Sequence, residues 1–191
     1  MNGPINWDIF AEGLQLDYIE QLKRFVSPSN VHLPDVDWVG IESSLGSSLP
    51  GDYKRFIEVY GPGDFDSYIL VVSPCEAEYS DGISEFWKEK RGSFIELRDV
   101  VSLPSWFSAP EDTLLLWAGT PDGDAYFWQI DRQLSPDCWD VVLCDGELNK
   151  WYKYKGGMAR LLLSVFSGES DLDFFSGLPL VGHSCFTSIY E

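Results

Sequence analysis

Four pairs of carboxylates, each with one residue between them, are the groups in this chain with the clearest chemical potential: Asp64-x-Asp66, Glu76-x-Glu78, Asp122-x-Asp124 and Asp171-x-Asp173. Such a pair can hold Mg²⁺ or Ca²⁺, or act as acid and nucleophile on a glycoside. Two of the pairs have a plainer reason to exist. Asp122 and Asp124 surround Gly123 in an expected hairpin turn, where aspartate serves the turn geometry. Asp64 and Asp66 flank Phe65 just past a helix stop, again a turn. Neither a bound metal nor catalysis is therefore expected at any of them. The remaining chemistry is thinner still. His32 sits in a Pro-flanked linker and His183 in the C-terminal tail. Gly182-His183-Ser184-Cys185-Phe186 begins like a nucleophile elbow, but its fifth position is Phe186 and no histidine follows to act as base. Two histidines and four scattered cysteines show no zinc spacing. Gly61-Pro62-Gly63 is too short for a phosphate loop and is followed by acids. The expectation is a protein that is not an enzyme and takes no cofactor.

What the carboxylates do offer is charge. With 31 acids against 13 bases the net charge is -18. That excludes nucleic acid and anionic membrane as natural partners, since both require a cationic surface. It favours fast, salt-sensitive association with a basic protein; the bland alternative is that acidity only maintains solubility. The acids concentrate between Asp64 and Glu85 and at the Asp122 turn, so Asp64, Asp66, Glu76, Glu78, Asp81, Asp122 and Asp124 are the candidate partner-binding residues. A second class of function remains open. The chain carries 8 Trp, and an exposed Trp beside paired acids could bind or process a carbohydrate. A third option is a signalling scaffold without catalysis.

The elements that position these residues follow from periodicity. Phe10, Leu14, Tyr18, Leu22 and Phe25 recur at helical spacing, giving a helix over 7–26. A second short helix is expected from Asp37 to Leu45, ending at Gly46. In LPGDYKRFIEVYGPGDF, Pro50 falls in the first turn and Asp52 favours the helix dipole. Tyr53, Phe56, Ile57 and Tyr60 then share one face, and Gly61-Pro62 stops the helix. The period next changes. Ser67 to Val72 reads as a buried strand and Ile83 to Gly92 as a helix with Phe86 and Trp87 inward. Two hairpins follow, Thr113–Ala118 with Ala125–Ile130 and Trp139–Cys144 with Leu148–Tyr154, each turning on an Asp-Gly pair. Trp117, Trp128, Trp139 and Trp151 lie in these strands, where sheet packing is the default. Met158 to Phe166 is a closing helix. Residues 170–191 lack a period but are too apolar for free disorder, so a docked tail with a short extended piece is expected. Helices first, antiparallel strands later and a last helix make a single α+β domain over 1–191. No basic leader precedes an apolar core at the N-terminus and no apolar run could span a bilayer, so a cytoplasmic protein with reduced thiols is expected. Cys138 and Cys144 are expected to face the core.

The ordered pieces LPGDYKRFI, YGPGDF with a hydrophobic strand, GTPDGDAYFWQID, CWDVVLCDGELNKWYKY and GGMARLLLSVFSGE resemble the SMI1/KNR4 (SUKH) superfamily over about Val36 to Glu169. The resemblance implies an α+β fold, a central, mostly antiparallel sheet packed by helices. For bacterial members it implies an immunity protein that binds and neutralises a cognate polymorphic or contact-dependent toxin, often a nuclease or deaminase with a basic cleft. Such a protein would act stoichiometrically, as a monomer or weak homodimer. Leu49, Pro50, Tyr53, Phe56, Tyr60 and Gly61 look structural within that pattern and do not locate the binding surface.

Overall fold

The computed structural model describes residues 17–75, 82–83, 104–106, 113–176 and 185–191. Among these, four α-helices accompany one sheet of seven strands. In chain order the elements are α1 (Tyr18–Leu22), α2 (Trp38–Leu45), α3 (Gly51–Tyr60), β1 (Gly63–Phe65), β2 (Ile69–Val71), β3 (Leu114–Gly119), β4 (Ala125–Gln129), β5 (Asp140–Cys144), β6 (Trp151–Tyr154), α4 (Gly157–Phe166) and β7 (Phe186–Ser188). The sheet runs β6-β5-β4-β3-β2-β1-β7 and every adjacent pair is antiparallel.

The helix quoted from the sequence is the joint of the structure. Leu49, Tyr53, Phe56, Ile57 and Tyr60 are all buried. Phe56 meets Phe65 of β1 at 5.9 Å between ring centroids, and Tyr53 meets Trp128 of β4 edge-on at 5.2 Å. The two tyrosines also satisfy chain breaks that would otherwise leave carbonyls unpaired. Tyr53 donates to the Val72 carbonyl at 2.7 Å and Tyr60 to the Val26 carbonyl at 2.7 Å. α4 covers the same sheet face through Phe166, 4.6 Å from Phe65.

Several expectations need correction in detail. α1 stops at Leu22, because residues 23–26 turn. Val26 is thereby buried, while Phe25, expected on the apolar face, is 43% exposed. Residues 7–16 of the expected first helix, and all of 83–92 beyond Ile83, lie outside the described residues. Pro50 is the N-cap of α3 rather than a residue of its first turn. The strand expected from Ser67 begins at Ile69, since Asp66 and Ser67 both have φ of 55° and form, with Tyr68, the turn of a β1–β2 hairpin. Leu70, expected to be buried there, is 43% exposed. The second Asp-Gly pair also works differently from the first. Gly123 supplies φ of 92°, but in the β5–β6 turn the left-handed residue is Leu148. Gly146 is there for room: a Cβ on it would lie 2.3 Å from the Asp122 carbonyl. Cys144 is buried as expected, whereas Cys138 is exposed on a 3₁₀ turn, Pro136–Cys138, that precedes β5.

The tail docks by completing the sheet. β7 pairs with β1, Phe65 opposite Phe186 and Gly63 opposite Ser188. A Cβ on Gly63 would fall 2.2 Å from the Thr187 carbonyl, so only glycine lets the tail strand close against β1. Phe186 fills the gap between Phe56, Tyr60 and Phe65, 5.8, 5.2 and 4.9 Å away. Phe174 and Phe175 pack against Tyr126.

Candidate functional site

Antiparallel pairing decides where the acids meet. The hairpin turns β1–β2 (66–68), β3–β4 (120–124) and β5–β6 (145–150) all open at the same end of the sheet, because Leu70 pairs with Gly119 and Ala125 with Cys144. Asp64, Asp66, Asp122 and Asp124, far apart in sequence, are thus neighbours on one rim. Asp145 and Glu147 join them from the third turn. Glu76, Glu78 and Asp81 lie outside the described residues.

Contacts tie the turns together. Asp124 Oδ1 accepts from the Gly146 N–H at 3.0 Å, and its Oδ2 accepts from the Tyr68 hydroxyl at 3.4 Å. Asp64 Oδ1 accepts from the Ser67 N–H at 2.5 Å, Asp66 Oδ1 from the Cys185 N–H at 2.9 Å, and Asp145 Oδ1 from the Asn149 N–H at 2.7 Å. Asparagine could make the bonds of Asp64, Asp66 and Asp145 as well, whereas Asp124 accepts on both oxygens and needs its carboxylate. Turn geometry therefore explains an Asx residue at the first three places but not the negative charge. None of these six acids forms an ion pair among the described residues. Two neighbouring groups register the resulting field. Burial, then the charges of Asp124 and Asp122, push the Tyr68 phenol up. The hydrogen bond and charge of Asp66 push the Cys185 thiol up.

Within the rim lies a cavity of about 310 Å³, bordered by Asp64, Tyr68, Leu70, Leu116, Pro121 and Asp124 among others. Sequence reasoning missed Tyr68, Leu70, Asp145 and Glu147 as parts of this site. Asp145-Gly146 was legible as a turn, but only strand order puts it beside Asp124. A second cavity, about 360 Å³, separates the N-termini of α3 and α4. Its acids are structural. Asp137 Oδ1 accepts from the Gly51 N–H at 2.6 Å and Asp52 Oδ2 from the Ala159 N–H at 3.0 Å, so each carboxylate caps a helix N-terminus.

The tryptophans do not supply a sugar platform in the strands. Trp117, Trp128 and Trp139 are buried, and Trp151 is half-buried with its indole N–H on the Leu148 carbonyl. No group of three or more His, Cys, Asp or Glu able to hold a metal ion occurs among the described residues, and no helix among them is long and apolar enough to cross a membrane.

An antiparallel α+β domain whose acidic turns gather at one sheet end is the class this structure defines. The chain belongs to the SMI1-KNR4 (SUKH) family: the family model described as SMI1-KNR4 cell-wall matches residues 35–156. That span contains all six rim acids and ends one residue before α4. Comparison with curated proteins and with solved structures finds no match.

Proposed function

We propose that this protein is an immunity protein, which neutralises a cognate toxin by covering a basic face of it in a stoichiometric complex, without turnover, in the cytoplasm. The observation that carries the reading is the rim: six carboxylates at three adjacent hairpin ends, none ion-paired with a lysine or arginine among the described residues, against one base in those turns, Lys150. Membership of a family whose bacterial members are commonly immunity proteins supports the choice of partner, and the net charge of -18 supports its sign. Like charges held together by a fold raise the local potential, which draws a basic partner in and aligns it before contact.

The test is co-expression with each toxin encoded beside this gene. Protection of the cells, together with a one-to-one complex in solution, is the expected result. Association should slow as salt rises, since the rim is screened over about 8 Å at physiological ionic strength. Replacing Asp64, Asp66, Asp122 and Asp124 together by Asn should lower the association rate about tenfold at low salt and flatten its salt dependence. If no neighbouring toxin is neutralised, the immunity reading falls and a scaffold role takes its place.

A further inference from the structure

The rim cavity has a shape that follows from one row of the sheet. Asp64, Leu70, Gly119, Ala125, Cys144 and Trp151 stand opposite one another across β1, β2, β3, β4, β5 and β6. Opposed residues in neighbouring strands point to the same side. At the centre of the row Gly119 and Ala125 are the two smallest side chains available, so the surface sinks between Leu70 and Cys144. The hollow is floored by Leu70, Leu116 and Ala125 and walled by Pro121 and Tyr68. Leu70 stays 43% exposed in the middle of a strand. Asp64 and Asp124, contributed by different hairpins, line the hollow as well.

We infer that this cavity is the anchor pocket for one arginine side chain of the partner protein, its methylenes on Leu70, Leu116 and Pro121 and its guanidinium between Asp64 and Asp124. This rests on the binding reading above. The alternatives fit worse on physical grounds. A neutral apolar group would fill the floor but strip water from two carboxylates without replacing it, which is costly. An anion is repelled. A bare divalent ion would leave the apolar floor unused and find too few oxygens. A lysine satisfies the floor, but its compact ammonium is a single point of charge. Arginine presents a planar fork of five donors that reaches two separate carboxylates and stacks on an aromatic face, here that of Tyr68.

The pocket is testable before any toxin is known. The probe is a blocked Gly-Arg-Gly peptide, compared with the same peptide carrying citrulline, which keeps the shape and loses the charge. Amide chemical shifts should move at residues 64–70 and 119–125 with the arginine peptide and stay still with citrulline. A Leu70→Ala variant should weaken the response, as should Asp64→Asn with Asp124→Asn; Glu58→Gln, on the far side of α3 and paired with Arg55, should leave it intact. Equal response to citrulline, or shifts spread over every acidic surface, would overturn the pocket. Once a toxin is found, Leu70→Ala should speed dissociation by about tenfold or more, the behaviour of a central anchor, and leave the association rate nearly unchanged. A toxin that is neutralised with unchanged dissociation from Leu70→Ala and from the double Asn variant would refute the arginine pocket and leave the immunity reading standing. Arginine-peptide binding at the rim with no toxin neutralised would do the reverse.

Discussion

The helical flank and the turn-bearing end of the sheet are both rich in acids, yet they treat them in opposite ways. On the flank Asp17, Glu20, Glu42 and Glu58 each have a cation, whereas Asp37 and Asp52 hold backbone N–H groups at helix N-termini. Lys23 reaches Glu20 at 2.6 Å, Lys54 pairs with Glu42, and Arg55 lies among Asp17, Glu20 and Glu58 at 3.9, 3.2 and 3.6 Å. At the turns the acids accept from backbone N–H groups, the Tyr68 hydroxyl and the Asn149 amide, and none has a cation partner among the described residues. Exposed ion pairs of the first kind contribute little stability. Their effect is to cancel charge where α1, α2 and α3 pack. The difference teaches that the excess of -18 is met in two ways over the described surface: ion pairs cancel part of the flank's charge, and the acids at the sheet end, none of them ion-paired among the described residues, are left to project a field.

The comparison is most sharply broken by asking what holds the flank to the sheet. If packing rather than ion pairing does so, Phe56→Ala should cost about 3–5 kcal/mol in denaturant titration, whereas Glu58→Gln should stay within about 0.5 kcal/mol. A loss below about 1 kcal/mol for Phe56→Ala would show that the α3 face is not the core contact it is taken to be. Next in size is the tail strand. Gly63→Ala forces a methyl against the Thr187 carbonyl, and such overpacking should cost about 1–3 kcal/mol. Faster hydrogen exchange at the Asp66 and Ile189 amides, which bond Cys185 and Pro62 across this seam, would show that the loss is local to β7.

At the turn end the expected effects are smaller and have the other sign. Asp122→Asn with Glu147→Gln removes two unbalanced charges without removing a backbone hydrogen bond, so stability at low salt should rise by about 0.5 kcal/mol or less. The gain should vanish as salt screens the rim. A gain that persists in high salt would mean that something other than repulsion sets the energy there.

The smallest effects are in pH dependence, and they separate paired from buried acids. Burial tends to push the Glu42 carboxyl up, but hydrogen bonds from Lys54 and the Leu49 N–H, with the lysine's charge, outweigh it and hold the group below the ordinary 4.5. Its contribution is therefore present above 4.5 and lost as pH falls through the lower folded value. Asp52 is opposite. Its Oδ1 is buried without a hydrogen bond, and burial, aided by the charge of Asp137, raises the group above 3.8 against the helix N–H groups that oppose it. Its contribution is complete below 3.8 and is lost as pH rises through the higher folded value. Glu42→Gln should flatten the acid limb of a stability–pH curve, and Asp52→Asn should remove the decline above it. Both variants changing the same limb would contradict these assignments.

Much of the fold is legible because it is local. The spacing of Tyr53, Phe56, Ile57 and Tyr60, the stop at Gly61-Pro62, the Asp122-Gly123 turn and the apolar run before Gly168 each depend on residues within a few positions of one another. The β1–β2 hairpin was missed for the same reason: its turn uses Asp66-Ser67 rather than an Asn-Gly or Asp-Gly pair, and its strands have three residues each, too short for alternation to show. The tail strand was visible only as apolar residues without a period, because its partner, β1, lies more than a hundred positions away.

The candidate site divides along the same line. Asp64, Asp66, Asp122 and Asp124 could be picked out by charge and turn chemistry, and the sign of the partner follows from composition alone. What tertiary structure decided is their convergence, the inclusion of Asp145 and Glu147, and the hollow between Leu70 and Cys144. Composition and periodicity describe what each segment prefers within a few residues. Strand order and register are set by which apolar faces bury together over the whole chain, and it is register that places Gly119 beside Ala125 and opens the pocket.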